Sequence, residues 1–169
     1  MKYYSAKMLM SGAVALALMG GVANSETLIV ASPQVPEGFD GDALKSHTQN
    51  VVVQVYENLV VYGTKQVEGR TVLDPTTVKP HLAQSWQISE DGKTWVFTLR
   101  EGIVSPYGNE LTANDVEWSW NKSFAQKRTG NFIARVSNVK GVKALSKYTV
   151  EFPLSAPSSI FLKALTLYV

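Results

Sequence analysis

Few residues in this chain of 169 could do chemistry, because it contains two histidines and no cysteine. Glu90 and Asp91 stand side by side, as paired carboxylates for acid–base work would. However, Asp91 and Gly92 lie between alternating apolar segments and predict a hairpin turn, which explains the two carboxylates better. Neither histidine has a cluster of metal-ligand residue types around it. We interpret His47 as a surface or capping residue and His81 as a structural one.

The motifs of common hydrolases are also missing from the sequence. It contains no G-x-S-x-G nucleophile elbow and no H-E-x-x-H zinc motif. Without cysteine there is no thiol nucleophile and no cysteine-based zinc site. The sequence therefore predicts no catalytic residue, no cofactor and no metal site, and we expect a protein that is not an enzyme.

The first 25 residues are typical of a cleavable signal peptide. Lys2 and Lys7 form a basic start, and residues 8–19 form an apolar run that is too short to span a membrane. Small residues follow, so we expect cleavage after Ala23 or Ser25, and the lack of a cysteine there predicts no lipid anchor. The mature protein is expected to be exported and soluble. The alternative is an uncleaved membrane anchor or a buried helix.

Removing the signal peptide changes the charge of the chain. Without Lys2 and Lys7, 14 of the 16 basic residues remain, and they equal the 14 acidic residues. A neutral mature chain has no electrostatic footprint for nucleic acid or for an anionic membrane. We therefore expect neither as a partner.

Two segments near the start of the mature chain must position any site. Residues 27–31 predict a buried strand, and a proline- and glycine-rich loop follows it. Such a loop is a common place for ligand contacts, although a plain connector explains it as well. Residues 46–62 are ambiguous. Their apolar spacing of four favours a helix that gives way to a short strand at 59–62, whereas four valines in five residues argue for a strand instead. Residues 65–79 are polar, and we interpret them as an excursion between two packed units.

Residues 80–124 hold all four tryptophans and are the scaffold around which the chain is organised. The pair Asp91-Gly92 predicts a two-residue type I′ turn, because that turn needs positive φ at both central positions. Alternation places Trp95 and its i+2 neighbours on one face of the second strand. Thr112 and Asp115 have the spacing of a helix capping box, so we expect a helix from Thr112 to about residues 128–130.

The last part of the chain predicts a second hairpin, with strands in 136–145 and 148–154, and an amphipathic helix that starts at 155–158. The chain stops inside an apolar run without a helix-end signal. We therefore expect a fragment or a truncated product.

The order of the motifs resembles one family of proteins. The motifs are HLAQSW (81–86), SEDGKTW (89–95), FTLREG (97–102), GNELTANDV (108–116) and WSW (118–120). They resemble those of the extracytoplasmic solute-binding proteins of the peptide/nickel/opine class of ABC importers, known as bacterial extracellular solute-binding protein family 5. Residues 141–165 are also similar to that family. The resemblance covers the chain from about residue 27 to its end.

The resemblance implies a fold and a domain organisation. The implied fold is mixed α/β (α+β), periplasmic-binding-protein-like, class II and cluster C type, with only part of lobe I and the extra subdomain present. Residues 1–25 would be the signal peptide, 26–62 the start of lobe I, and 63–169 a truncated accessory subdomain with the aromatic hairpin and the capped helix. The second lobe would be absent.

The resemblance also implies where a ligand would be contacted. One place is the loop after the first strand, and the other is the segment after the capped helix, where relatives place an aromatic residue against the ligand. The candidate ligand-binding residues are Ser32, Pro33, Gln34, Val35, Asn131 and Phe132. Core packing is the alternative explanation of Phe132. A loop that carries a His-Asp-Gly-like sequence in many members is Ser-Pro-Tyr-Gly at 105–108 here and gives no clue to the solute.

The function implied by the resemblance is that of the periplasmic substrate-binding component of an ABC importer. Such a protein captures an oligopeptide, dipeptide or opine by domain closure and delivers it, as a monomer, to membrane permease subunits. A fragment would not bind alone, because half of the cleft would be missing. The alternatives are a secreted hydrolase and the non-functional truncated product of a decayed gene.

Overall fold

A four-stranded antiparallel sheet lies at the centre of the structure, a computed structural model that describes residues 39–42 and 52–167. The described residues form six strands, β1 (Val60–Val67), β2 (Arg70–Pro80), β3 (Ala83–Ile88), β4 (Thr94–Leu99), β5 (Lys143–Ser146) and β6 (Thr149–Pro153). They also form three α-helices, α1 (Ala113–Ala125), α2 (Thr129–Ser137) and α3 (Phe161–Ala164), and a 3-10 turn at Leu165–Leu167. The central sheet has the order β3-β4-β6-β5, and β1 and β2 form a separate hairpin. The predicted signal peptide, the predicted strand at 27–31 and His47 lie outside the described residues.

The aromatic face predicted for the β3–β4 hairpin is confirmed. Trp95, Phe97 and Leu99 are buried on one face of β4, and the residues between them are half-buried. On β6, Val150 and Phe152 are buried on the same face, because Phe97 pairs with Val150 and Trp95 with Phe152. The alternation of side chains along both strands thus places one continuous apolar layer under the helices.

The core of this layer is built from rings that meet edge to face. Phe152 contacts Trp120 of α1 with ring centroids 5.2 Å apart and Phe97 at 5.5 Å, both at steep angles. Phe161 of α3 packs against Trp95 at 5.2 Å in the same arrangement. Such pairs add about 0.5–1.5 kcal/mol each to the free energy gained from burying the rings. Helices α1 and α3 are therefore held to the sheet largely by aromatic packing.

The predicted two-residue type I′ turn is wrong, because the observed hairpin turn is wider. Ser89 N–H donates to the Thr94 carbonyl at 2.9 Å, and Gly92 N–H donates to the Ser89 carbonyl at 2.9 Å. Positive φ occurs at Gly92 (+68°) and not at Asp91, so one of the two conditions of a type I′ turn is unmet. The Asp91 carboxylate accepts from the Lys93 amide at 3.1 Å and stabilises the wider loop.

The polar segment 65–79, which the sequence predicted to be an excursion between two packed units, forms most of the β1–β2 hairpin. Its register breaks between Tyr62, which pairs with Val78, and Gly63, which pairs with Asp74. Three residues of β2 bulge there, and the Asp74 carboxylate accepts from the Thr76 amide at 3.1 Å within the bulge. A Cβ on Gly63 would collide with Thr77 Oγ1 and lie 3.1 Å from the Thr77 Cβ, so glycine suits this close approach.

The helix predicted to run up to a strand at 59–62 is wrong beyond the turn at Val52–Tyr56. Tyr56 N–H donates to the Val52 carbonyl at 2.9 Å, which closes a last helical turn, and the chain then leaves the helix. The strand expected at 59–62 is confirmed as the start of β1. The Leu59 carbonyl accepts from the His81 and Ala83 amides at 3.2 and 3.0 Å. This long-range pairing, together with the β-branched valines, outweighs the helical spacing.

The capped helix is confirmed as α1, with Thr112 and Asp115 as its capping box. Asp115 Oδ2 accepts from the Thr112 amide at 2.7 Å and from its hydroxyl at 2.6 Å. The helix ends at Ala125, earlier than predicted, and Lys127 takes positive φ (+53°). The chain then enters α2, which the sequence analysis missed.

The second hairpin is confirmed as β5 and β6, but its first strand is shorter than the predicted segment 136–145, because α2 occupies the start of that segment. The last helix begins at Phe161, later than expected. Neither of the described ranges contains a helix with the length and hydropathy needed to cross a membrane.

Candidate functional site

The two candidate ligand residues within the described range lie in the first turn of α2. Asn131 is partly exposed, and Phe132 is 54% exposed, although Ile133 and Ala134 beside them are buried. Core packing therefore does not explain Phe132, and its role as a ligand contact remains a prediction. Ser32, Pro33, Gln34 and Val35 lie outside the described residues.

The start of α2 is bound to residues 39–42, a segment that sequence reasoning did not single out. The Asp42 carbonyl accepts from the Thr129 hydroxyl at 2.8 Å and from the Thr129 amide at 3.4 Å. Asp42 Oδ1 accepts from Ser123 Oγ at 2.8 Å, and Ser123 Oγ in turn accepts from the Gly130 amide at 2.7 Å. All three side chains, Asp42, Ser123 and Thr129, are at most 5% exposed. We name Asp42, Ser123, Thr129 and Gly130 the buried polar cluster.

Two basic side chains bind residues 39–42 at Asp40. Asp40 forms ion pairs with Arg128 and, at 3.5 Å, with Lys122. Desolvation raises the pKa of Asp40, but the Asp42 amide, Lys122 and Arg128 outweigh it, so the pKa is lowered overall. Burial raises the pKa of Asp42 and outweighs its hydrogen bonds. The segment is thus attached to α1 and α2 by an exposed ionic contact and a buried hydrogen-bonded one.

Phe39, at the start of this segment, is 68% exposed. Its carbonyl accepts from the Tyr56 hydroxyl at 3.1 Å. A small apolar pocket of about 180 Å³ lies between Phe39, Val52, Val55 and Tyr56. The segment therefore also contacts the turn that precedes β1.

A larger cavity of about 660 Å³ is lined by residues 53–58, His81, Leu82 and the loop that precedes α1. Within it, His81 Nε2 lies 3.5 Å from Glu57 Oε1. The His81 carbonyl accepts from Arg100 Nε at 2.5 Å, and its amide pairs with Leu59, as expected for a structural residue. The described part of the chain contains no group of three or more histidine, aspartate or glutamate side chains that could hold a metal ion.

The carboxylate pair Glu90 and Asp91 is explained by the turn. Hydrogen bonds from the Ser89 hydroxyl and then from the Lys93 amide lower the pKa of Asp91. A general acid at neutral pH needs a raised pKa instead. Asp91 is therefore a turn-stabilising residue.

Residues 77–169, more than half of the chain, match the family model described as bacterial extracellular solute-binding proteins, family 5 Middle. The chain belongs to this family. Family 5 is a family of solute-binding proteins rather than of enzymes.

Two curated relatives from Escherichia coli (strain K12) show how much of a family 5 protein the chain represents. It is 31% identical to the dipeptide-binding protein over 85% of its own length, but it spans 29% of that protein. It is 33% identical to the nickel-binding periplasmic protein over 67% of its length and spans 20% of that relative. The chain is thus comparable with less than a third of these family 5 members.

Solved structures confirm the fold. NikZ from Campylobacter jejuni in complex with Ni(L-His) matches 80% of this chain with a TM-score of 0.65 and 23% identity, and the match covers 25% of NikZ. Haemophilus influenzae OppA in complex with RPPGFSPFR matches 78% with the same TM-score and identity, over 27% of OppA. The mixed α/β, periplasmic-binding-protein-like fold implied by the sequence motifs is therefore that of family 5.

Proposed function

We propose that this protein is the substrate-binding component of an ABC importer and captures a peptide-like or opine-like solute for a membrane permease. The observation that carries the proposal is membership in family 5, with 31% identity over most of the chain to a dipeptide-binding protein. Other relatives are named di/tripeptide-binding and oligopeptide-binding proteins, which favours a peptide as the solute. The protein would work as a monomer in the periplasm, after export by its signal peptide.

The proposed organisation follows the sequence analysis. Residues 26–62 would start lobe I, and 63–169 would form the accessory subdomain. Strand β1 runs across position 62, so the two parts share one element. The other wall of the cleft would come from the portion that relatives carry beyond the matched segment, since the chain spans 29% of the dipeptide-binding protein.

The proposed ligand contacts are Ser32, Pro33, Gln34, Val35, Asn131 and Phe132. Asp42 binds the turn of α2 that carries Asn131 and Phe132, which supports these two residues as the part of the site within the described range. An aromatic side chain that is half exposed on a helix fixed by buried hydrogen bonds is suited to packing against a ligand.

The test is a chimera in which this chain replaces the matched segment of the Escherichia coli dipeptide-binding protein. Isothermal titration with alanyl-phenylalanine is expected to show binding, and Phe132→Ala should weaken it by about tenfold, as loss of a central aromatic contact does. Trp118→Ala is the matched control, since Trp118 is an exposed aromatic residue on α1. It should leave the dissociation constant within about twofold.

Two results would count against the proposal. A folded chimera that binds no dipeptide, opine or tripeptide would reject the solute-binding function. Equal losses for Phe132→Ala and Trp118→Ala would reject the placement of the site. The chain by itself, from residue 26 onward, is expected to show no measurable affinity, because a single wall cannot bury a ligand.

A further inference from the structure

Helix α2 begins without a cap from its own sequence. Its N-cap residue, Arg128, makes no side-chain hydrogen bond to the first turn. The first amides of a helix have no partner within the helix, so other groups must satisfy them. Here the Thr129 amide donates to the Asp42 carbonyl, and the Gly130 amide donates to Ser123 Oγ. Both partners come from outside the helix.

The Asp42 carboxylate determines how Ser123 acts. An ionised carboxylate only accepts hydrogen bonds, so the Ser123 hydroxyl must donate its single proton to Asp42 Oδ1. Its lone pairs are then left for the Gly130 amide. Asp42 thereby orients the Ser123 hydroxyl, which caps α2, although Asp42 and Ser123 are 81 positions apart in sequence.

We propose that Asp42 is a positioning residue for the ligand-contact turn of α2 and that it acts through Ser123. The Asp42 side chain acts on Gly130 through Ser123, and its backbone carbonyl binds Thr129 directly. Thr129 and Gly130 immediately precede Asn131 and Phe132 in the same turn. The part of the inference that concerns the ligand rests on the proposed function. The part that concerns the helix does not.

The geometry separates this role from ordinary core packing. Asp42 Oδ2 is buried and has no hydrogen-bond partner among the described residues, so one oxygen of the carboxylate carries the capping contact. Asparagine has the same shape and keeps a carbonyl oxygen that can accept from Ser123. Asp42→Asn should therefore keep the Ser123 hydroxyl oriented toward Gly130, whereas Asp42→Ala removes the acceptor that orients it and leaves the backbone contact to Thr129 in place.

Amide hydrogen exchange on the full chain tests the first part. Asp42→Ala and Ser123→Ala should each raise the exchange rate of the amides of residues 130–133 by about fivefold, the effect of losing a helix cap. Asp42→Asn should change it by less than about twofold. Exchange in β4 and β6 should not change.

Asp91→Ala is the control, because the Asp91 carboxylate also accepts from a backbone amide, that of Lys93, but in the β3–β4 turn. It should accelerate exchange around residues 89–94 and leave α2 unchanged. If Asp42→Ala raises amide exchange rates uniformly along the chain, Asp42 has a general role in stability and the inference is overturned. If that variant does not fold, Ser123→Ala decides, and unchanged exchange at 130–133 would overturn the inference too.

Titration of the chimera with alanyl-phenylalanine tests the second part. Asp42→Ala should weaken binding, Asp42→Asn should restore it, and adding Asp42→Ala to Phe132→Ala should cause no further loss, because one residue acts through the other. Additive losses would overturn the positioning role. A chimera without dipeptide binding would reject the proposed function but leave the exchange result standing. Altered exchange with unaltered affinity would instead reject positioning alone.

Discussion

The carboxylate of Glu110 accepts a hydrogen bond from the hydroxyl of Tyr148 at 2.6 Å. It also accepts from Lys147 Nζ at 2.8 Å and from the Gly102 amide at 3.0 Å. The Lys147 carbonyl accepts in turn from the Ala113 amide at 2.8 Å, at the start of α1. One carboxylate thus joins the loop before α1 to the β5–β6 turn and, through Lys147, to the first turn of the helix.

We predict that Glu110 makes the stability of the protein depend on acid pH. Hydrogen bonds from Lys147, then Tyr148, then Gly102 lower the pKa of Glu110 to about 2 from the ordinary value of 4.5. Because the folded-state pKa is the lower one, the stabilisation is fully present above the ordinary value and is lost as pH falls from 4.5 toward 2. Glu110→Gln should flatten the fall in melting temperature over this interval, measured by circular dichroism.

Glu101→Gln is the control for that measurement, since Glu101 is an exposed carboxylate on the same loop. It should retain the acid-dependent fall of the unmodified chain. If the melting temperatures of Glu110→Gln and of the unmodified chain fall in parallel as pH is lowered over this interval, the hydrogen bonds of Glu110 do not stabilise the fold.

Two tryptophans on α1 should differ sharply in their contribution to stability. Trp120 is 1% exposed and packs against Phe152, whereas Trp118 is 66% exposed. Trp120→Ala should lower the free energy of unfolding by about 3–5 kcal/mol, because it leaves a cavity in the aromatic core. Trp118→Ala should change it by less than about 0.5 kcal/mol. Urea denaturation of both variants checks the prediction, and similar midpoints would contradict the packing described above.

Alanine substitutions at two glycines with positive φ should separate the cost of backbone strain from the cost of steric crowding. Gly92 (+68°) and Gly102 (+72°) have nearly the same backbone conformation, but a Cβ on Gly92 would lie 3.3 Å from Pro157 Cβ. A Cβ on Gly102 would meet nothing within 4 Å. Gly102→Ala should cost about 1–2 kcal/mol from left-handed strain alone, and Gly92→Ala should cost more. The unmodified chain should have the highest melting temperature, Gly102→Ala a lower one and Gly92→Ala the lowest. A higher melting temperature for Gly92→Ala than for Gly102→Ala would refute the prediction.

The capping box of α1 should contribute a measurable share of stability. Asp115→Ala removes the acceptor of both the Thr112 amide and its hydroxyl, so we expect a loss of about 1 kcal/mol in the free energy of unfolding. Asn114→Ala changes an exposed neighbour in the same turn and should stay within about 0.5 kcal/mol. Equal effects in urea denaturation would show that the box is dispensable.

Features set by neighbouring residues were predictable from the sequence. The burial of Trp95 follows from strict alternation, and the α1 cap follows from the spacing of Thr112 and Asp115. The order of these local motifs also pointed to family 5, which the family comparison confirms. The turn at Asp91-Gly92 was located correctly, but its type was not, because a nearby serine and aspartate bond the backbone in a way that propensity rules ignore.

Features that depend on distant partners were decided by tertiary structure. The valine-rich segment before β1 leaves the helical conformation where the Leu59 carbonyl pairs with the His81 and Ala83 amides. Likewise, α2 was missed because its first residue, Thr129, is bound by the Asp42 carbonyl, 87 residues earlier in the sequence. The sequence by itself determined the scaffold motifs and the family. The tertiary structure alone decided that Phe132 is exposed on a helix held by Asp42, because buried hydrogen bonds between remote residues leave no local signal.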